Sequence, residues 1–217
     1  MKVVVVASGE LDASDAAWLE DADLVIAADG GANSLDRLGM RPNLLVGDLD
    51  SIDLLLLDRL EAGGTRVERH PIDKEASDTE LAVAAAFDAG ASAVVVLGAM
   101  GGARIDHEIA NLLLLADASL AGRDVRAARG GTHVRALHVG ERIHLSGSVG
   151  DLVTLLSVGG TADGVTTEGL RWPLVEATLE MGRSRGLSNE IIAAPASVRI
   201  GNGTLLVVET ASRGGIS

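Results

Sequence analysis

From Met1 to residue 130, short apolar runs alternate with stretches in which apolar residues recur every three or four positions. Val3–Ala7, Leu24–Ala28, Leu44–Val46 and Val94–Leu97 are apolar throughout, as strands buried on both faces must be. Ala13–Leu19, Ile52–Ala62, Asp78–Asp88 and Asp106–Leu115 carry the helical spacing instead. This alternation predicts a mostly parallel sheet with helices on both faces. Each expected strand runs into a polar or glycine-containing turn: Ala7-Ser8-Gly9, Ala28-Asp29-Gly30-Gly31, Gly47-Asp48-Leu49-Asp50 and Gly98-Ala99-Met100-Gly101-Gly102. Ligands of open α/β sheets bind beyond the carboxyl ends of the strands, so these turns mark the expected functional edge.

After Gly130-Gly131 the helical spacing fades and β-like runs take over: His133–Leu137, Arg142–Leu145, Leu152–Ser157, Val198–Ile200 and Leu205–Glu209. Gly201-Asn202-Gly203 reads as a hairpin turn. The chain therefore divides into residues 1–130, a Rossmann-like α/β domain, and residues 131–217, a small all-β sandwich.

Composition narrows the function. The 217 residues carry 31 acidic against 18 basic side chains, a net charge of −13. Such a surface repels phosphate backbones and anionic lipid, which argues against a nucleic-acid or membrane partner. Cysteine is absent, so disulfides, thiolate chemistry and Cys-ligated zinc are excluded. No apolar run is long enough to span a bilayer, and the one before Ser8 is too short for a signal peptide, so a cytoplasmic protein is expected. The aromatics are Trp18, Phe87 and Trp172, with no tyrosine, so the core is built from aliphatic residues.

Several segments carry candidate chemistry. Asp48 and Asp50 follow a strand at i and i+2, and in an extended turn both reach one divalent cation. Hard oxygen donors without His or Cys favour Mg²⁺. The alternative is that Asp50 or Ser51 caps the helix starting near Ile52. In Asp73-Lys74-Glu75-Ala76-Ser77-Asp78-Thr79-Glu80, Ser77 and Glu80 have capping-box spacing. Asp78 can instead face the same metal, and Lys74 adds a cation suited to phosphate.

Gly98–His107 joins a strand to a helix; its glycines admit a close ligand, the helix N-terminus offers free N–H groups, and Arg104 can fork phosphate oxygens. It is not a Walker A loop, and no clean G-x-G-x-x-G is present. His107, one helical turn before Asn111, suits an ordinary polar role as well as a ligand. Asp29-Gly30-Gly31 is also a plain turn sequence, with Asn33 or Ser34 placed to cap the next helix. Near the C-terminus, Trp172 beside Pro173 offers a flat face to a heteroaromatic or cationic ring, with Ser188 and Asn189 able to bond ring nitrogens. Its alternative is a core tryptophan.

Taken together and in order, these segments resemble the thiamine pyrophosphokinase family. The resemblance rests on ADGGAN (28–33), GDLDSI (47–52), DKEASDTE (73–80), Gly98–His107 with Ala110-Asn111, EGLRWPL (168–174) and RGLSNE (185–190), and so spans nearly the whole chain. Two departures stand out: Ser77 where the family usually has threonine, and Ala103 as an extra residue between Gly102 and Arg104. The resemblance implies transfer of a pyrophosphoryl group from ATP to the hydroxyl of thiamine, giving thiamine diphosphate and AMP. It implies Mg²⁺ on Asp48, Asp50 and Asp78, with Arg104 and Asp106 also catalytic. ATP is expected on Asp29, Gly30, Gly31, Asn33, Lys74, Gly101, Gly102 and His107, and thiamine on Trp172, Ser188 and Asn189. A homodimer with its active site at the subunit interface is implied too. Two rivals remain: a pyrophosphokinase for another alcohol, such as a hydroxymethylpterin, and a non-catalytic thiamine or nucleotide sensor. The sensor would have no need for Asp48, Asp50, Asp78 and Arg104 together.

Overall fold

The structure is a computed structural model in which residues 1–212 are described. It forms two compact units. Met1–Leu114 and Arg123–Gly130 make the first, while Leu115–Gly122 and the described residues from Gly131 onward make the second. The sequence reads as one cut after residue 130; here the chain crosses between units three times, because Leu115–Gly122 clusters with the later residues.

The first unit is a six-stranded parallel sheet: β1 (Lys2–Val6), β2 (Leu24–Ala28), β3 (Leu44–Gly47), β4 (Arg66–Arg69), β5 (Ala93–Leu97) and β6 (Asp124–Arg129), in the order β4-β3-β2-β1-β5-β6. β1, β2 and β5 are buried along almost their whole length, which explains why they read as unbroken apolar runs. β4 (RVER) lies at the sheet edge and β6 (DVRAAR) is half polar, so neither announced itself as a strand.

Helices α1 (Ala16–Glu20), α2 (Gly31–Arg37) and α3 (Leu54–Ala62) follow the first three strands and share one core with Val4, Val6, Val25, Ala27 and Leu45. The chain then returns across the sheet through α4 (Asp78–Asp88), which packs on β1, β2 and β3 through Ala82, Val83 and Ala86. Right-handed crossovers that run in opposite directions along a sheet place their helices on opposite faces, hence this arrangement. The strand order reverses at β1/β5, where Gly9 N donates to Gly98 O at 2.9 Å. α5 (Ile105–Leu114) differs from expectation, since none of its residues is buried and Ile105, Ile109 and Leu113 form an exposed stripe.

The second unit is β-rich, with strands β7 (Thr132–Leu137), β8 (Arg142–His144), β9 (Leu152–Glu168), β10 (Ala177–Leu179), β11 (Asn189–Glu190), β12 (Ser197–Arg199) and β13 (Asn202–Thr210). Its order is β7-β13-β9-β12-β8, and β10 and β11 add to β9. β9 runs far beyond the expected Leu152–Ser157: its first half pairs with β13, its second with β12 and β10. Gly159 and Gly160, both at positive φ, lie between the halves and let one strand serve two ladders. Gly201-Asn202-Gly203 does not close a hairpin, because β12 pairs with β8 and β9 while β13 pairs with β7 and β9. The core is aliphatic, formed by Leu137, Val153, Leu155, Val165, Val198, Leu205 and their neighbours.

Candidate active site

Three turns at the carboxyl edge of the parallel sheet bring their carboxylates together. Asp29 follows β2, Asp48 follows β3 and Asp78 opens α4; one oxygen from each lies within 4.8 Å of the others. Two residues in the left-handed region aim these turns: Asp29 at φ 43° and Leu49 at φ 65°. Leu49 curls inward to join the core, so Asp48 and Asp50, on either side of it, part company. Asp50 is left exposed, accepting a 2.8 Å hydrogen bond from Ser51 Oγ. The group is therefore Asp29, Asp48 and Asp78, with Asp50 outside it; alternation in an extended turn fails because Leu49 is not extended. Gly47 makes room, since a Cβ there would sit 3.0 Å from both Asp29 Cβ and Asp78 Oδ1.

The surrounding side chains brace this edge. Asn33 donates to Ser51 O (2.9 Å) and accepts from Asp53 N (3.1 Å), tying α2 to the turn after β3 instead of capping a helix. Asp53, neither Asp50 nor Ser51, caps α3 by accepting from Leu56 N, and Ser77 caps α4 by accepting from Glu80 N. Gly30 and Gly31 open α2 against the end of β1, where a Cβ on Gly31 would fall 1.9 Å from Val6 O.

Lys74 reaches into the group from the loop before α4. Its Nζ lies 2.8 Å from Asp48 Oδ2 and 3.0 Å from Asp78 Oδ1. The second contact is an ion pair off the line of a hydrogen bond, so Asp78 Oδ1 is buried without a hydrogen-bond donor among the described residues. The hydrogen bond from Lys74 holds the Asp48 carboxyl below its ordinary range. Burial pushes Asp29 up, against its hydrogen bonds from Ser51 and Gly30. Burial disfavours the Lys74 ammonium as well, yet Asp48 and Asp78 outweigh it and raise Lys74.

The glycine loop after β5 supplies its own acceptors. Gly101 N donates to the Glu108 carboxylate (3.1 Å), and Asn111 Nδ2 donates to Ala99 O (3.3 Å). Arg129 packs where a Gly101 Cβ would stand and pairs with Glu10. Gly102 is exposed, as is His107. Arg104 forms a two-pronged pair with Asp106, with both side chains exposed, and its guanidinium holds Asp106 well below the usual carboxylate range. Glu108, which the sequence reading did not single out, braces this loop through Gly101 N, and only its position in the first turn of α5 hinted at it.

In the second unit Trp172 is 58% exposed, which removes the core alternative. Its backbone is clamped by one amide: Trp172 N donates to Asn189 Oδ1 (3.0 Å), and Asn189 Nδ2 donates to Trp172 O (2.7 Å). Asn189 is buried and also accepts from Glu190 N, so it positions the indole and has little left to offer a ligand. Ser188 is exposed at φ 55°, with its N–H on Thr154 Oγ1. Arg171 and Glu190 form a two-pronged pair alongside.

Hard oxygen donors at the carboxyl edge of a parallel sheet suit nucleotide phosphates carried with a divalent cation, the chemistry of phosphoryl-transfer enzymes. Comparison with known proteins gives the particular kind. The family model described as thiamin pyrophosphokinase, catalytic domain, matches residues 16–126, and the one described as thiamin pyrophosphokinase, vitamin B1 binding domain, matches residues 141–205. The chain belongs to the thiamin pyrophosphokinase family. Among curated relatives, the thiamine pyrophosphokinase of Bacillus subtilis is 22% identical over 89% of this chain and 90% of its own. Thiamine pyrophosphokinase 1 of Arabidopsis thaliana is 28% identical over 78% of this chain and 72% of its own. The crystal structure of the B. subtilis protein matches the fold with a TM-score of 0.86 over 98% of this chain and all of that one, at 22% identity. That of the thiamin pyrophosphokinase from Candida albicans matches with a TM-score of 0.81 at 16% identity, over 97% and 90% of the two chains.

Proposed function

We infer that this protein is a thiamine pyrophosphokinase: it moves the pyrophosphoryl group of ATP to the hydroxyl of thiamine and releases AMP. The observation that carries the reading is that the two family models, catalytic and vitamin-binding, match in order along this one chain. The thiamine hydroxyl oxygen forms a bond to the β-phosphorus, the bond from that phosphorus to the α,β-bridging oxygen breaks, and AMP leaves with the electron pair. The hydroxyl proton passes to a base, and catalysis rests on positioning and on neutralising phosphate charge.

The carboxylate group fits a hard divalent cation. It offers three oxygen ligands, no nitrogen or sulfur, and a buried Asp78 oxygen that lacks a hydrogen-bond donor. Asp48, Asp78 and Asp29 would hold Mg²⁺, with Asp50 exposed two residues beyond Asp48 in the turn after β3. Bound there, the ion would neutralise charge on the phosphate oxygens. Arg104, once it leaves Asp106, has five donors for the phosphates. The glycine loop at Gly101 and Gly102 gives the nucleotide a close backbone surface, with His107 at the start of α5. Trp172, set by Asn189 and with Ser188 exposed nearby, supplies a face for the cationic thiazolium and the pyrimidine. We read the β-rich unit as a sandwich and the enzyme as a homodimer whose active site is shared between subunits. The exposed stripe Ile105, Ile109 and Leu113 supports the assembly. Soluble small-molecule substrates support a cytoplasmic location.

The test is a ³¹P NMR time course with ATP, Mg²⁺ and thiamine, run beside one with a hydroxymethylpterin. Thiamine diphosphate and AMP are expected together, without ADP. AMP formed only with the pterin would transfer the reaction to the rival alcohol. Thiamine binding without turnover would make the protein a sensor.

A further inference from the structure

We propose that Lys74 is a resident counter-cation of the carboxylate group, which a divalent ion must displace before the site can be loaded. The inference rests on the metal reading of Asp29, Asp48 and Asp78 given above. Lys74 is half-buried in a loop where its neighbours Asp73 and Glu75 are exposed, and its side chain is 13% accessible beside an Asp48 side chain that is 10% accessible. It occupies one oxygen of Asp48 at 2.8 Å and one of Asp78 at 3.0 Å. A divalent ion bound by the same two carboxylates would have to share them with the Lys74 ammonium, a like charge at close range.

Without any cation, three carboxylates with oxygens inside 4.8 Å would repel one another at low dielectric. Lys74 relieves that repulsion, and it does so imperfectly: its contact to Asp78 lacks hydrogen-bond alignment, which leaves Asp78 Oδ1 without a donor. A flexible ammonium on a four-carbon stem, held by an exposed loop, is built to leave when a smaller, doubly charged ion arrives. Once displaced, it stands at the rim of the site with its charge free for the phosphates that accompany the ion. The empty site is thereby kept folded and weak for metal alone, and becomes strong when metal and nucleotide come together.

The test follows binding of Mn²⁺, a hard-oxygen substitute for Mg²⁺, to nucleotide-free protein through the EPR signal of the free ion. Lys74→Gln removes the competing charge and should bind Mn²⁺ about tenfold tighter than the wild type or better, the scale of one charge-assisted hydrogen bond no longer broken on loading. Lys74→Arg keeps the charge and should stay near the wild type, which a merely steric role would not produce. Equal or weaker binding by Lys74→Gln, or Mn²⁺ binding too weak to detect in both proteins, overturns the exchange. Asp48→Asn, measured alongside, separates the two claims. If it binds Mn²⁺ as the wild type does, the metal reading itself fails. If it loses the ion while Lys74→Gln gains nothing, the metal site stands and the counter-cation does not.

Discussion

Replacing Asp48 by Asn keeps the shape of the turn after β3 and removes the charge that Lys74 and a metal ion would share. Turnover should fall by at least about a hundredfold, the scale of losing a focused charge at a phosphoryl-transfer site, with the fold unchanged by circular dichroism. Retained activity at saturating Mg²⁺ would take Asp48 out of the metal site. Trp172 and Asn189 form a second pair of tests. Trp172→Ala removes the stacking face and should raise the KM for thiamine about tenfold while leaving that for ATP unchanged. Asn189→Ala should move the same constant in the same direction, because its amide fixes the Trp172 backbone at both N and O. A shift in the ATP constant of equal size would remove Trp172 from the thiamine side. The turns that carry these residues were legible in the sequence, since strand-end glycines and acids mark them. That Asp29, and not Asp50, lies beside Asp48 and Asp78 was not, because the placement of Asp50 hangs on the backbone angle of Leu49, an apolar residue whose left-handed conformation no local pattern announces.

At the level of elements, α2 begins at Gly31 because nothing larger fits beneath Val6 O. Gly31→Ala should therefore be severely destabilising, lowering stability by several kcal/mol or preventing folding, measured by urea unfolding or soluble yield; the mechanism is overpacking against backbone that cannot yield. A variant as stable as the wild type would mean that α2 shifts freely on β1. The buried strands β1, β2, β3 and β5 and helices α3 and α4 are readable from hydrophobic period alone, because burial on both faces or on one stripe writes itself into the chain. β4 and β6 are not, since RVER and DVRAAR carry charge at positions a central strand would keep apolar. The second half of β9 is hidden for another reason. Gly159-Gly160 reads as the end of a strand, yet β12 and β10 pick up the same strand beyond it. α5 carries a helical apolar stripe that its own chain leaves exposed, and periodicity reports an apolar face without naming what covers it.

A buried carboxylate outside the candidate site couples folding to acid pH. Glu209, on β13, is 2% exposed and accepts from Ser146 N (2.7 Å) and Gly147 N (2.9 Å), with His133 and Arg135 of β7 each 3.2 Å from its carboxylate. Burial alone would raise its pKa, but the His133 hydrogen bond, the Gly147 N–H and the two basic side chains win, and it falls from 4.5 to about 2. A carboxyl depressed in the folded state binds fewer protons there than in the unfolded chain. Its stabilisation is thus complete above the unfolded value of 4.5 and is lost as the pH falls through about 2. The interval is worth roughly 3 kcal/mol. Glu209→Gln should therefore lower stability at pH 7 by about 3 kcal/mol, through an Arg135 left facing a neutral amide and through weaker acceptance from Ser146 and Gly147. The same variant should lose less than the wild type on going from pH 5 to pH 3, so that the two stability curves converge in acid. Urea unfolding at a series of pH values measures both effects. Parallel curves that never approach one another would show that some other carboxylate governs the acid limb and that Glu209 is held by packing alone.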